Sequence, residues 1–339
     1  MTRPYYRPLA QTDAVRPEGA LPLAGGWCWF TEVEVLGRGG ESEILPATHL
    51  PPEVAERLCA PRRPVAGLTM DVPRIMGILN VTPDSFSDGG RYDDEEIALE
   101  HARALAEAGA DILDIGGEST RPGAEEVPED EEIDRTAPVI AALRDEDFPL
   151  PISIDTRKAL VADAAVEAGA EMLNDVSAME FDPAMAELAA ITGLPICLMH
   201  AQGLPETMQD DPEYGDVLLD VYDYLEDRIA LAEAQGIARE QIVIDPGIGF
   251  GKTVAHNLAL IRGLGLFHGL GCPILLGVSR KRFIGTVAGV ETAEARMPGT
   301  LAVTLAGIAQ GAQIHRVHDV AEIAQGVRLW AAITKGYEQ

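Results

Sequence analysis

Pro151-Ile152-Ser153-Ile154-Asp155 is followed by an amphipathic stretch over residues 156–167 and then by Glu171-Met172-Leu173-Asn174-Asp175-Val176. A short apolar run closed by a polar residue, a helical pattern, and a second such run make a β-α-β unit whose two strands lie parallel. Working outward in both directions, the same unit recurs. The apolar runs are Arg74–Asn80 and residues 111–115, 151–155, 171–176, 195–200, 241–245, 273–278 and 313–318, which makes eight candidate strands. Between and after them lie helical patterns such as 95–108, Val217–Ala234 and 319–333, each long enough to cross back over a parallel sheet. Eight such units in about 265 residues predict a (β/α)8 barrel, the TIM-barrel class of α/β fold. A doubly wound open sheet is the alternative, and no Gly-x-Gly-x-x-Gly turn follows the first run to support it.

Residues 71–339 are assigned to the barrel. Residues 1–70 read differently, being rich in Pro and Gly, with one alternating segment, Trp27-Cys28-Trp29-Phe30-Thr31-Glu32-Val33-Glu34-Val35-Leu36, that predicts a single strand. This extension is expected to be a small module whose aromatic residues pack against the barrel.

The 339 residues carry 26 basic and 55 acidic side chains, a formal charge of -29. Such a charge repels nucleic acid and anionic membrane surfaces, so neither is an expected partner. An anionic substrate would need positive charge concentrated at its site. The four cysteines, Cys28, Cys59, Cys197 and Cys272, have neither CxxC nor zinc-ligand spacing, which suits a reduced cytoplasm. No stretch approaches the roughly 20 apolar residues of a membrane span, and the N-terminus has no signal-peptide core, so a soluble, cytoplasmic protein is expected.

Nearly every run turns polar at its C-terminal end: Asn80, Asp114, Asp155, Asn174, His200, Asp245, Ser279 with Lys281, and Arg316 with His318. In a parallel barrel all these ends open onto one face, so residues far apart in sequence converge there. An Asp at a strand end is also the usual N-cap of the next helix, and for Asp155 or Asp245 taken alone that reading stays open. Carboxylates at an apolar mouth need donors, which implies a ligand rich in N–H groups. A flat heterocycle with an amidine-like edge would satisfy Asp245; Asn174 can donate and accept, and Lys281 can meet a ring carbonyl or nitrogen. Phe250, between Gly249 and Gly251, can form part of the wall, and Met199 either packs on the ring face or fills core.

Two βα loops stand out. Residues 80–90 and 116–123 are dense in hydroxyls and turn residues, as mobile lids often are, and the second carries Arg121. Asp245-Pro246-Gly247-Ile248-Gly249-Phe250-Gly251-Lys252 lacks the Walker spacing, so a nucleotide P-loop is rejected. Arg121, Arg280, Lys281, Arg282, Arg316 and His318 supply the local positive charge that an anionic substrate requires. Only four lysines occur in the chain, and Lys252 and Lys281 sit in these loops. Arg316 and His318 flank Val317, so in extended chain both point to one side, where the following helix start would help them hold a phosphate or diphosphate.

Over residues 74–335 these motifs, in order, resemble the dihydropteroate synthase family. Met76-Gly77-Ile78-Leu79-Asn80 through Gly90 resembles its first signature and the stretch 116–123 its second. Ser153-Ile154-Asp155-Thr156, Asn174-Asp175-Val176, Leu198-Met199-His200, the stretch 245–252, Ser279-Arg280-Lys281 and Arg316-Val317-His318-Asp319 complete the set.

The resemblance implies condensation of 6-hydroxymethyl-7,8-dihydropterin diphosphate with 4-aminobenzoate in folate synthesis, with Mg2+ as cofactor and a homodimer as assembly. Carried over position by position, it implies that Asp155, Asn174, Asp245 and Lys281 hold the pterin, Asn80 ligates Mg2+, and Arg316 with His318 holds the diphosphate. Thr120, Arg121, Pro122 and Ser279 would lie near the diphosphate and the aminobenzoate, where sulfonamides would compete. Asp155, Lys281 and Arg316 are the expected catalytic residues. The chain departs from the family pattern at residues 201–204 and in its long extension, neither of which touches these positions. Two other readings are a pterin-dependent methyltransferase, which would have no diphosphate or aminobenzoate for the two loops to hold, and a catalytically silent pterin-binding protein.

Overall fold

The structure is a computed structural model that describes residues 3–40, 42–82, 91–119, 126–203, 208 and 211–335, without the side chains of 91–94 and 335. The extension supplies β1 (Tyr5–Pro8), β2 (Leu21–Pro22), β3 (Trp29–Phe30), β4 (Glu32–Leu36), β5 (Ser42–Pro46) and α1 (Pro52–Cys59). The rest alternates: β6 (Arg74–Asn80), α2 (Arg91–Ala108), β7 (Ile112–Gly116), α3 (Glu129–Asp145), β8 (Ile152–Asp155), α4 (Ala159–Ala168), β9 (Met172–Asp175), α5 (Ala184–Thr192), β10 (Ile196–Met199), α6 (Val217–Ala234), β11 (Ile242–Asp245), α7 (Val254–Arg262), β12 (Leu275–Gly277), α8 (Arg282–Ala288), α9 (Met297–Ile308), β13 (Ile314–Val317) and α10 (Val320–Lys335). β6 to β13 pair in parallel in the order β11-β10-β9-β8-β7-β6-β13-β12. A parallel bridge from Ile244 to Ile274 and the bond from Ile244 N–H to the Pro273 carbonyl, 3.0 Å, close the sheet on itself. The expected eight-stranded barrel is what the chain forms. No described helix is long and apolar enough to cross a membrane.

Strand alternation sorts the side chains into two populations. Leu113, Ile115, Ile152, Ile154, Leu173, Leu198, Ile242 and Ile244 face the helices and share one buried cluster with them. Met76, Ile112, Met172, Cys197, Val243, Leu275 and Ile314 make a separate cluster inside the barrel. Two residues further along these strands, the interior positions become Asp114, Asn174, Asp245 and Arg316, with Ile78, Met199 and Gly277 among them, so a largely polar layer lies directly above the apolar one.

The expected single strand over 27–36 is broken at Thr31. Trp29 and Phe30 pair with Pro22 and Leu21, whereas Glu32–Leu36 lies between β1 and β5. The alternation misleads because Cys28, Trp29 and Phe30 are all buried, covered on both faces. Trp27 donates through Nε1 to the Ile308 carbonyl (2.8 Å) and Trp29 through its own Nε1 to that of Asp13 (2.8 Å). Tyr5, Leu23, Trp27, Phe30, Val33 and Leu58 join the same apolar cluster as the barrel helices. Val65 and Met70 instead join the interior cluster, at the end opposite the polar layer. Each such large apolar side chain contributes about 1.5–3 kcal/mol by leaving water, so the extension is bound to the barrel by core packing.

Candidate active site

Arg316, on β13, organises the polar layer. Its Nε donates to Asp114 Oδ2 (2.5 Å) and its Nη2 to Asp155 Oδ2 (2.6 Å), and Asn174 Nδ2 donates to Asp114 Oδ2 (3.2 Å). Four residues from four strands therefore form one network. Asp155 keeps a buried Oδ1 to which no described donor reaches. Buried carboxylate oxygens are normally satisfied, so this one calls for a donor from outside the protein. Burial pushes the Asp155 carboxyl up to about 7, with Asp114 adding to the rise and Arg316 opposing it.

Neither aspartate caps a helix. α4 starts at Ala159 after an N-cap, Lys158, that makes no side-chain cap bond, and α7 is capped by Thr253. Asp245 Oδ1 accepts the Gly247 N–H (2.7 Å), which sets the turn out of β11, and burial raises its pKa. Lys281 donates to the Ile248 carbonyl and lies 4.5 Å from the Phe250 ring centroid. Burial pushes the Lys281 ammonium down to about 8, opposed by the charge of Asp245. Gly249, at φ +87°, lets the lysine pass, since a Cβ there would stand 3.0 Å from Lys281 Cδ. At interior position Gly277 a Cβ would sit 3.6 Å from Asp245 Oδ2 and 3.9 Å from Lys281 Nζ. Glycine thus leaves the space beside the acid and the amine free of a side chain, so that a ligand atom can contact both.

On the other side of β13, Ser279 Oγ accepts the backbone N–H of His318 (3.1 Å) and lies 2.9 Å from its Nδ1. Arg280 is ion-paired with Asp319, so the cation expected to help hold an anion there is spent on the helix start. Lys252 is likewise not a surface cation. It is buried, with Nζ 2.8 Å from His200 Nδ1 and donating to the Phe250 carbonyl at 2.8 Å, so it ties the glycine-rich loop to the end of β10. Burial, and then the charge of Lys252, push His200 down to about 2, so the imidazole is neutral.

Of the expected site residues, Asp155, Asn174, Asp245, Lys281 and Arg316 converge, with Met199 buried in the same layer, Phe250 beside Lys281, and Ser279 with His318 at the next strand end. Asn80 ends β6, half-buried and in register with Gly116. Thr120, Arg121 and Pro122 fall outside the described residues, as do 83–90 of the first loop and Leu204. Asp114 was legible as a strand-end polar residue, but its bridging role was not. Only the fold shows that Arg316 reaches it. A surface cleft of about 610 Å³ lined by Pro212, Glu213, Tyr214, Gly215 and His256 contains none of these residues.

A model of the family described as pterin binding enzyme matches residues 76–318, more than half of the chain. The dihydropteroate synthase of Escherichia coli (strain K12) is 46% identical over 274 residues, covering 80% of this chain and 96% of its own length. That of Bacillus subtilis (strain 168) is 49% identical over 263 residues, 77% of this chain and 89% of its own. Among solved structures, dihydropteroate synthase of Xanthomonas albilineans with 4-aminobenzoic acid has 48% identity and a TM-score of 0.75, over 80% of this chain and 98% of that one. The same organism's enzyme in complex with 7,8-dihydropteroate has 45% identity and a TM-score of 0.73 over the same shares.

Proposed function

The chain belongs to the dihydropteroate synthases of the pterin-binding enzyme family, and from this premise we propose that it joins 6-hydroxymethyl-7,8-dihydropterin diphosphate to 4-aminobenzoate, giving 7,8-dihydropteroate and diphosphate. The observation that carries the reading is the orphaned Oδ1 of Asp155, across the same polar layer from the side-chain-free position Gly277 that adjoins Asp245 and Lys281, since an N–H-rich planar ring supplies the donor that Asp155 lacks. Asp245 and Asn174 accept from and donate to the pterin edge, and Lys281 donates to a ring carbonyl or nitrogen. The methylene C–O bond breaks with its electron pair leaving on diphosphate, while the pterin ring delocalises the positive charge left on the methylene. The aminobenzoate nitrogen lone pair then forms the C–N bond, and its proton passes to solvent or diphosphate. No protein nucleophile is needed, because positioning and charge complementarity lower the barrier. Asp155 stabilises the growing cation, and Arg316 and His318 stabilise the leaving group.

Among the described residues no group of three or more His, Cys, Asp or Glu side chains can hold a metal. Asn80 offers one amide oxygen, which fits an ion carried mainly by substrate phosphates and water. In this proposal Asn80 would hold Mg2+, which would supply charge that neutralises the diphosphate. The homodimer is part of the same proposal: Leu329 and Ile333, one turn apart on α10, are 63% and 73% exposed and suit a covered face. So is a reducing, cytoplasmic setting, with which four thiols outside any disulfide are consistent.

The test is to mix the protein with both substrates and Mg2+ and follow diphosphate and 7,8-dihydropteroate. Equal release of both is expected. Pterin binding without release would mean a silent binding protein, and methyl transfer from a methylated pterin would mean a methyltransferase.

A further inference from the structure

Outside the polar layer, a dense buried ionic cluster among the described residues joins the turn after β8 to both ends of the connection between β7 and α3. Lys158 Nζ donates to Glu118 on the near stem, and on the far stem to the Val127 carbonyl (2.6 Å) and Glu132 Oε2 (2.7 Å). Arg157 repeats the pattern, with Nη2 2.8 Å from Glu118 Oε1 and 3.7 Å from Glu126 Oε2. Lys158, Glu118 and Glu132 are almost fully buried, with side chains 2%, 5% and 0% exposed. The near stem is held from α3 as well: Arg135 Nη1 donates to the Gly117 carbonyl (2.7 Å), and a Cβ on Gly117 would come within 2.8 Å of Thr136 Cγ2. Two consecutive cations thus each span both stems, two and three residues beyond Asp155.

A buried cluster of this kind has a high desolvation cost and is weak evidence for stability by itself. What it does provide is register, because guanidinium and ammonium donors fix their partners to within a hydrogen-bond length. We propose that Lys158, seconded by Arg157, is a positioning residue that fastens both stems of the β7–α3 connection to the strand end carrying Asp155, and so sets the aminobenzoate side of the reaction against the pterin side. This rests on the dihydropteroate synthase reading, in which the same connection serves the second substrate. Lys158 touches neither substrate, so its loss acts on the second substrate and leaves the pterin contacts of Asp155, Asn174 and Asp245 in place.

The experiment compares native protein with Lys158→Met, Lys158→Arg and the charge-free pair Lys158→Gln with Glu132→Gln. It measures kcat, KM for 4-aminobenzoate, pterin affinity by calorimetry, and Tm. Lys158→Met should raise the 4-aminobenzoate KM by about tenfold or more while pterin Kd stays within about twofold, and Lys158→Arg should recover most of the loss. The paired variant, which leaves no buried carboxylate at 132, should show the same KM effect if Lys158→Met does not fold. An unchanged 4-aminobenzoate KM in a folded variant overturns the proposal. So does a parallel loss of KM, pterin affinity and Tm, or failure of both variants to fold, since each marks a purely structural role. Native protein that releases no diphosphate would instead overturn the reading on which the proposal rests.

Discussion

Arg316→Met should cost about 3–5 kcal/mol of folding stability and lower kcat by roughly a thousandfold, the largest effect expected of any single change. Its guanidinium is the only described side chain that bonds both Asp114 and Asp155, whose side chains are 0% and 6% exposed. Without it, two carboxylates face each other in the barrel with only the Asn174 amide between them and their charge. Asp155, whose carboxyl burial already pushes up and Arg316 holds down, then takes up a proton or the layer rearranges, and either outcome removes the anion that Asp155 presents to the ring. Thermal denaturation and single-turnover kinetics measure the two parts. Adding Asp114→Asn should restore part of the stability without restoring turnover, because the excess charge is relieved while the leaving-group cation stays absent. A single variant as stable as the native protein would show that the network is not what holds the layer.

Asp155→Asn comes next, with an expected loss of about a hundredfold in kcat and less than about tenfold in pterin affinity. Asparagine keeps an acceptor oxygen and most of the shape, so ground-state contacts survive, whereas the charge that matters as the cation develops does not. The same residue sets a pH dependence. Its carboxyl, pushed up to about 7 by burial, is neutral below that value, so native kcat/KM should fall as pH drops through about 7. Lys281, pushed down to about 8, loses its charge as pH rises, giving an alkaline limb near there. The variant should lose the acidic limb and keep the alkaline one. Equal losses in turnover and binding, or an acidic limb that persists, would assign the charge role to another group.

The barrel was legible because burial on both faces of a parallel strand leaves an apolar run with little else to explain it, and β6 begins and ends where the run does, at Arg74 and Asn80. The site was legible for a related reason: a polar residue closing an apolar run is costly unless it has a task, and nearly all of the eight runs shared the feature. Pairings across the barrel were hidden. Asp114 and Arg316 are 202 positions apart, and neither residue type carries information about the other. Lys252 was placed by the sequence in the loops of the mouth, but that it is buried against the His200 nitrogen was not legible there. The turn at 156–158 was expected to be the first turn of α4, which instead starts at Ala159 because Arg157 and Lys158 reach back to Glu118. The strand over 27–36 failed because packing covers both faces of Trp29 and Phe30, which erases the period on which the expectation rested.

The central claim is that the polar layer at the C-terminal ends of the strands holds a pterin. Calorimetry of a dihydropterin against the native protein and Asp245→Ala tests it most directly. Losing a charge-assisted hydrogen bond costs roughly 1.5–3 kcal/mol, so the variant should bind about ten- to a hundredfold more weakly with its fold intact. Equal affinity in the two proteins would contradict the account, because Asp245 could not then be reading the edge of the ring.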